Sequence, residues 1–95
     1  MRLNPEIKAF IKETTEKLFP EAEIYLFGSR LNDMERGGDI DLLLLTEKKI
    51  EPKKIRNFRV NFYKRFGWQK IDLVNFTKAD NTTFKKLILT KAQAL

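Results

Sequence analysis

Apolar and polar positions alternate along this chain in two different rhythms, and the changes of rhythm mark its elements. Ile7, Phe10, Ile11, Thr14 and Leu18 recur at the spacing of one helical face, while Lys8, Lys12, Glu13, Glu16 and Lys17 take the other. Asn4 and Pro5 suit the start of that helix and Phe19-Pro20 its end. Glu23 to Phe27 is a short run rich in strand formers that stops at Gly28-Ser29, where Ser29 can cap a short helix through Arg30, Leu31 and Asn32. Asn32 to Gly38 reads as a loop, and the second strand runs from Asp39 to Leu45. Pro52 opens a helix to about Phe66 with Ile55, Phe58, Phe62 and Phe66 as its apolar stripe, and Gly67 closes it. Trp68 to Phe76 reads as a third strand. From about Asp80 a last helix carries Phe84, Leu87, Ile88 and Lys91 on one side, and the final residues are expected to fray. The order is helix, strand, short helix, strand, helix, strand, helix. It implies an α/β (α+β) fold, a small mixed sheet of about three strands flanked by helices.

One strand breaks its own pattern. Asp39 and Asp41 open an otherwise apolar run, Ile40 to Leu45, and a period of two puts both carboxylates on one face with Leu43 and Leu45. Aspartate is a poor strand former. Two adjacent carboxylates also raise each other's pKa unless a cation stands between them. A hard, oxygen-seeking ion such as Mg2+ would supply it. Asp72 interrupts the third strand in the same way, opposite in direction to Ile71 and Leu73.

Composition narrows the chemistry. The chain of 95 residues suits one domain with one modest core. It has no cysteine and no histidine, so disulfide frameworks, thiolate or imidazole metal sites and histidine acid–base catalysis are excluded and carboxylates remain as ligands. No apolar run is long enough to span a bilayer and the N-terminus does not resemble a signal peptide, so a soluble, cytoplasmic protein is expected. The net charge of +6 suits an anionic partner. Lys53, Lys54, Arg56, Arg59, Lys64 and Arg65 make the second long helix strongly basic. That basic surface is open to two readings, a solvated face or a site for RNA or protein, and direct nucleic-acid binding is left undecided. Phe58, Phe62 and Phe66 fit a core better than a base-stacking platform.

Each feature alone has a plain structural alternative. Gly28-Ser29 can be a turn, Asp39 and Asp41 can serve turn chemistry, and Asp72 can be an acid at a strand edge. Together they read as a strand, Gly28-Ser29 at the head of a short helix, nine residues, Asp39-Ile40-Asp41 on the next strand and a distant Asp72. This order resembles the nucleotidyltransferase superfamily that includes polymerase β, and most closely its minimal (MNT) members. The resemblance covers Ile24 to about Phe76. It implies that Asp39, Asp41 and Asp72 form the catalytic, Mg2+-binding set and that Gly28, Ser29 and Arg30 contact the triphosphate of ATP or another nucleoside triphosphate. Asp72 is then placed to orient or deprotonate an acceptor hydroxyl.

Because minimal members are paired with HEPN-domain proteins, the resemblance also implies a toxin–antitoxin pair. In that pair the chain transfers AMP to a hydroxyl of a HEPN-type RNase toxin. The alternative is a non-catalytic antitoxin or assembly subunit that neutralises its partner by binding. A small Mg2+-dependent nuclease is a third reading, weakened because Leu73 and Val74, not a lysine, follow Asp72.

Overall fold

The computed structural model describes residues 3–27 and 39–95. The expected Gly28-Ser29-Arg30 turn, short helix and loop therefore lie outside the described residues. The elements are α1 (Pro5–Leu18), β1 (Glu23–Phe27), β2 (Ile40–Thr46), α2 (Pro52–Phe66), β3 (Ile71–Thr77), α3 (Thr83–Lys91) and β4 (Gln93–Ala94). They build one sheet in the order β3-β2-β1-β4. β2 runs parallel to β3 and antiparallel to β1, as a mixed sheet requires. β3 begins later than the sequence suggests. Trp68 stands in the preceding turn with 71% of its surface exposed.

Local chemistry explains the boundaries. The Asn4 side chain accepts hydrogen bonds from the backbone N–H groups of Glu6 (2.8 Å) and Ile7 (3.4 Å), and Pro5 takes the first turn, where its missing N–H costs nothing. α2 likewise begins with Pro52. It ends at Gly67 with right-handed backbone, φ −59° and ψ −16°, so no positive φ demands glycine here. A Cβ at Gly67 would stand 3.0 Å from the Tyr63 carbonyl oxygen, a tight approach that the turn would have to relieve by a few tenths of an ångström.

α1 and α2 cover one face of the sheet. Ile7, Phe10 and Ile11 of α1 and Phe58, Phe62 and Phe66 of α2 close over Leu26, Ile40, Leu42, Leu44, Ile71 and Leu73. Phe10 meets the edges or faces of all three α2 phenylalanines at 5.7–5.9 Å between ring centroids, and each such pair adds about 0.5–1.5 kcal/mol to simple burial. Thr15, not Thr14, is the buried threonine of α1, and its hydroxyl donates to the Ile11 carbonyl at 2.7 Å.

The second face is treated differently. β3 and β4 are opposite edges of the sheet, so α3, which joins them, must cross it. Nine helical residues span about 13 Å, close to the three strand spacings involved. Because α1 and α2 fill one face, α3 crosses the other. Among the described residues, Leu43, which is fully buried, Leu45 and Ile88 of α3 are the buried apolar residues outside the main core. Phe84 and Leu87 were expected on the inner side of this helix but are 57% and 60% exposed. Lys85 takes the inner place instead, donating from Nζ to the carbonyls of Thr77 (3.0 Å), Lys78 (3.1 Å) and Asp80 (2.8 Å). The chain end does not fray: β4 pairs with β1, and the Leu95 N–H donates to the Ile24 carbonyl.

Candidate active site

The register of β2 decides where its acids go. Ile40, Leu42 and Leu44 point into the core beneath α1 and α2, so Asp41 must point to the opposite face; a slip by one residue would bury it. The parallel pairing of β2 with β3 makes Asp41 and Asp72 register partners. Adjacent strands hold such partners about 4.8 Å apart in the backbone, with side chains on the same face. Asp39 stands one residue before β2. The Ile40 N–H donates to the Lys70 carbonyl at 3.0 Å, which prolongs the β2–β3 ladder to the edge of the site.

All three acids are only half-buried. α3 covers the far half of this face and leaves the Asp39, Asp41 and Asp72 end open. Burial is the main cause that pushes the Asp41 carboxyl above its ordinary range, and the charges of Asp72 and Asp39 push it the same way. Lys70 opposes them. Its ammonium lies 3.9 Å from the Asp39 carboxylate, a loose and exposed pair that contributes little to stability. Lys70 is the functional candidate that the motif reading missed. The signal was available, since it precedes Asp72 by two residues and so shares its face.

On the other flank, Phe27 is the register partner of Asp41 in β1, and from Phe27 the chain continues into Gly28, Ser29 and Arg30, which lie outside the described residues. Among the described residues no group of three acids stands close enough to enclose a metal ion. The donor set still fits a hard cation. Two carboxylates are held side by side by the backbone, and the destabilised charge of Asp41 is one that a divalent ion would relieve. Among the described residues no helix is long and apolar enough to cross a membrane.

A mixed sheet with helices on both faces and carboxylates aligned at one end is the architecture of a nucleotidyl-transfer scaffold. The chain belongs to the family "Polymerase beta, Nucleotidyltransferase", whose model matches residues 6–95. No curated sequence matches it. Among solved structures it is similar to a Shewanella oneidensis complex of a tri-AMPylated HEPN toxin with an MNT antitoxin. There the TM-score is 0.70 at 18% identity, over 97% of this chain and 71% of that one. A toxin–antitoxin structure with AMP-PNP gives a TM-score of 0.71 at 20% identity, over 92% and 70% of the two chains. A protein described provisionally as a nucleotidyltransferase gives 0.64 at 28% identity, over 97% and 99%. The first two likenesses are of fold alone.

Proposed function

We propose that this chain is an Mg2+-dependent nucleotidyltransferase that moves AMP from ATP to a hydroxyl of a HEPN-type toxin and thereby acts as its antitoxin in the cytoplasm. The observation that carries the reading is the register of Asp41 with Asp72 on parallel strands, with Asp39 two residues before, on the face that α3 leaves open. Family membership and the fold shared with an MNT antitoxin support it, as do the AMPylated toxin and the AMP-PNP in the complexes it resembles.

Asp39 and Asp41 would hold Mg2+, with Asp72 completing the set. Bound there, the ion supplies charge stabilisation at the α-phosphate and the departing pyrophosphate. The residues of the chain do the rest. Gly28, Ser29 and Arg30 hold the triphosphate. Asp72 orients the acceptor hydroxyl and takes its proton as the oxygen bonds to the α-phosphorus; the bond from that phosphorus to the bridging oxygen breaks, and pyrophosphate leaves. Lys70 offsets part of the negative charge that the acids and the triphosphate bring together.

The test is incubation of the protein with its co-purified partner, ATP and Mg2+, followed by intact-mass measurement of the partner. The wild type adds AMP to the partner. Asp41→Asn lowers the rate at least about a hundredfold, the scale on which a charge-stabilising group acts, and still pulls the partner down. An unmodified partner with every nucleoside triphosphate would sink the enzymatic reading. The alternative reading is stoichiometric neutralisation by binding. On that reading Asp41→Asn neutralises the partner as well as the wild type does.

A further inference from the structure

α1 and α2 lie side by side on the face of the sheet away from the acids, and a groove of about 460 Å3 runs between their outer sides. Its polar walls are Thr14 and Lys17 of α1 and Asn57, Asn61, Lys64 and Arg65 of α2. No acid lines it, and α2 contains none from Pro52 to Phe66. Among the described residues Lys17, Lys64 and Arg65 form no ion pair, even though Glu13 precedes Lys17 by one helical turn. Arg65 is held without a carboxylate: its guanidinium lies 5.6 Å from the Phe10 ring centroid and 5.0 Å from that of Phe66. Three cations thus converge on one concavity with their charge uncompensated. The site owes nothing to the transfer reading, because the sheet separates it from Asp39, Asp41 and Asp72.

We propose that this groove binds the sugar–phosphate backbone of single-stranded RNA. Lys, Arg, Asn and Thr are the side chains that contact phosphate and sugar, and here they occur together. An interface for an acidic protein would be centred on exposed aromatic or apolar anchors. The groove offers none, for Phe10 is buried and Leu18 half-buried. Its walls are two helices, so a strand lying along it meets cations from both sides, Lys17 from α1 and Lys64 and Arg65 from α2. The amides favour ribose. The side-chain amide of Asn61 donates to the Asn57 Oδ1 at 2.6 Å, which leaves both Nδ2 hydrogens of Asn57, and one amide hydrogen and the Oδ1 of Asn61, for a ligand. A 2′-hydroxyl is both acceptor and donor, and deoxyribose lacks it. The only ring that lines the groove, Phe10, is buried, so no base stacks within it, and binding there is insensitive to sequence and governed by salt.

Fluorescence anisotropy of a labelled mixed-sequence RNA oligonucleotide, titrated with the full chain across a KCl series, tests this. The wild type binds, and log K falls linearly with log salt concentration. Lys17→Gln/Lys64→Gln/Arg65→Gln weakens binding at least about tenfold at low salt and flattens the slope by about 2, as the loss of three phosphate contacts on a single strand requires. Lys17→Gln/Lys64→Gln, which leaves the stacked Arg65 alone, flattens it by about 1.4. Replacement by the alternative cation at all three positions retains binding, and Asp41→Asn binds as the wild type does. Absence of binding at low salt overturns the proposal, as does an unchanged slope in the folded triple variant. Equal affinity for DNA of the same sequence, or displacement of the RNA by polyglutamate at matched charge, also overturns it, the latter by marking the groove as a site for acidic protein.

Discussion

The side chain of Asp41 occupies a place where the fold alone would be better served by an uncharged residue. Its neighbours along β2 are fully buried leucine and isoleucine, and its cross-strand partners are Phe27 and another carboxylate, Asp72. Burial raises its pKa first, and the two nearby acids add to this. A folded-state pKa above the unfolded value of about 4 means that the folded state binds more protons in the window between them. Stability is therefore lost as pH rises through that window and stays lost at neutral pH. Asp41→Asn should raise Tm at pH 7 by roughly 2–5 °C, allowing for the solvent screening of a half-exposed group. The gain should shrink below about pH 4, where Asp41 is protonated in both states. Thermal melts followed by circular dichroism at the two pH values check it, and a variant less stable than wild type at pH 7 would contradict the account. Asp39, Asp41 and Asp72 could be picked out in the sequence because acids break an apolar strand pattern visibly. Lys70 carried a weaker signal, its place two residues before Asp72, because a lysine just before a strand is ordinary; the prolonged β2–β3 ladder is what brings it beside Asp39.

Among the elements, α2 and α3 show how far periodicity reaches. α2 was legible to its ends because Pro52 and Gly67 punctuate it and its phenylalanines recur every four residues. α3 was not. Phe84, Leu87 and Ile88 read as one stripe, yet only Ile88 of the three is buried, and the interior position belongs to Lys85. The cause lies in the turn after β3, where the carbonyls of Thr77, Lys78 and Asp80 need donors that the sheet does not provide. An ammonium with three N–H groups satisfies them all while its methylene stem packs against the fold. The Asp80 carboxylate completes the turn by accepting from the Thr77 N–H at 2.8 Å. Lys85→Met should keep the stem and leave the Lys78 and Asp80 carbonyls without a donor, the Thr77 carbonyl keeping the Asp80 N–H at 3.1 Å, at a cost of about 2–3 kcal/mol in urea denaturation. A cost below about 0.5 kcal/mol would show that water serves these carbonyls equally well. β4 was illegible for another reason. Two residues, Gln93 and Ala94, carry no pattern, and only the path of α3 across the sheet delivers them to β1.

At the scale of the molecule, the sheet divides the work. One face carries nearly the whole apolar core under α1 and α2, and the other carries the acids at one end and α3 over the rest. The alternation along β2 and β3 announced this division, but the partner of each face depended on which helices crossed where, and that follows from strand order rather than from any local pattern. The asymmetry has an energetic consequence. Phe62 is fully buried and meets the rings of Phe10, Phe58, Tyr63 and Phe66 at 5.2–6.2 Å. Phe62→Ala should cost about 3–5 kcal/mol, a large part of the 5–15 kcal/mol that proteins of this kind possess. Phe84 on the other face touches Phe76 at 5.9 Å but is 57% exposed, so Phe84→Ala should cost less than about 1 kcal/mol. Urea titrations of both variants measure the ratio. If they cost the same, α3 contributes a second core as strong as the first and the acid-bearing face is rigid. If the ratio stands, α3 can shift on the sheet at little expense to the fold, while Asp41 and Asp72 stay fixed by the β2–β3 ladder.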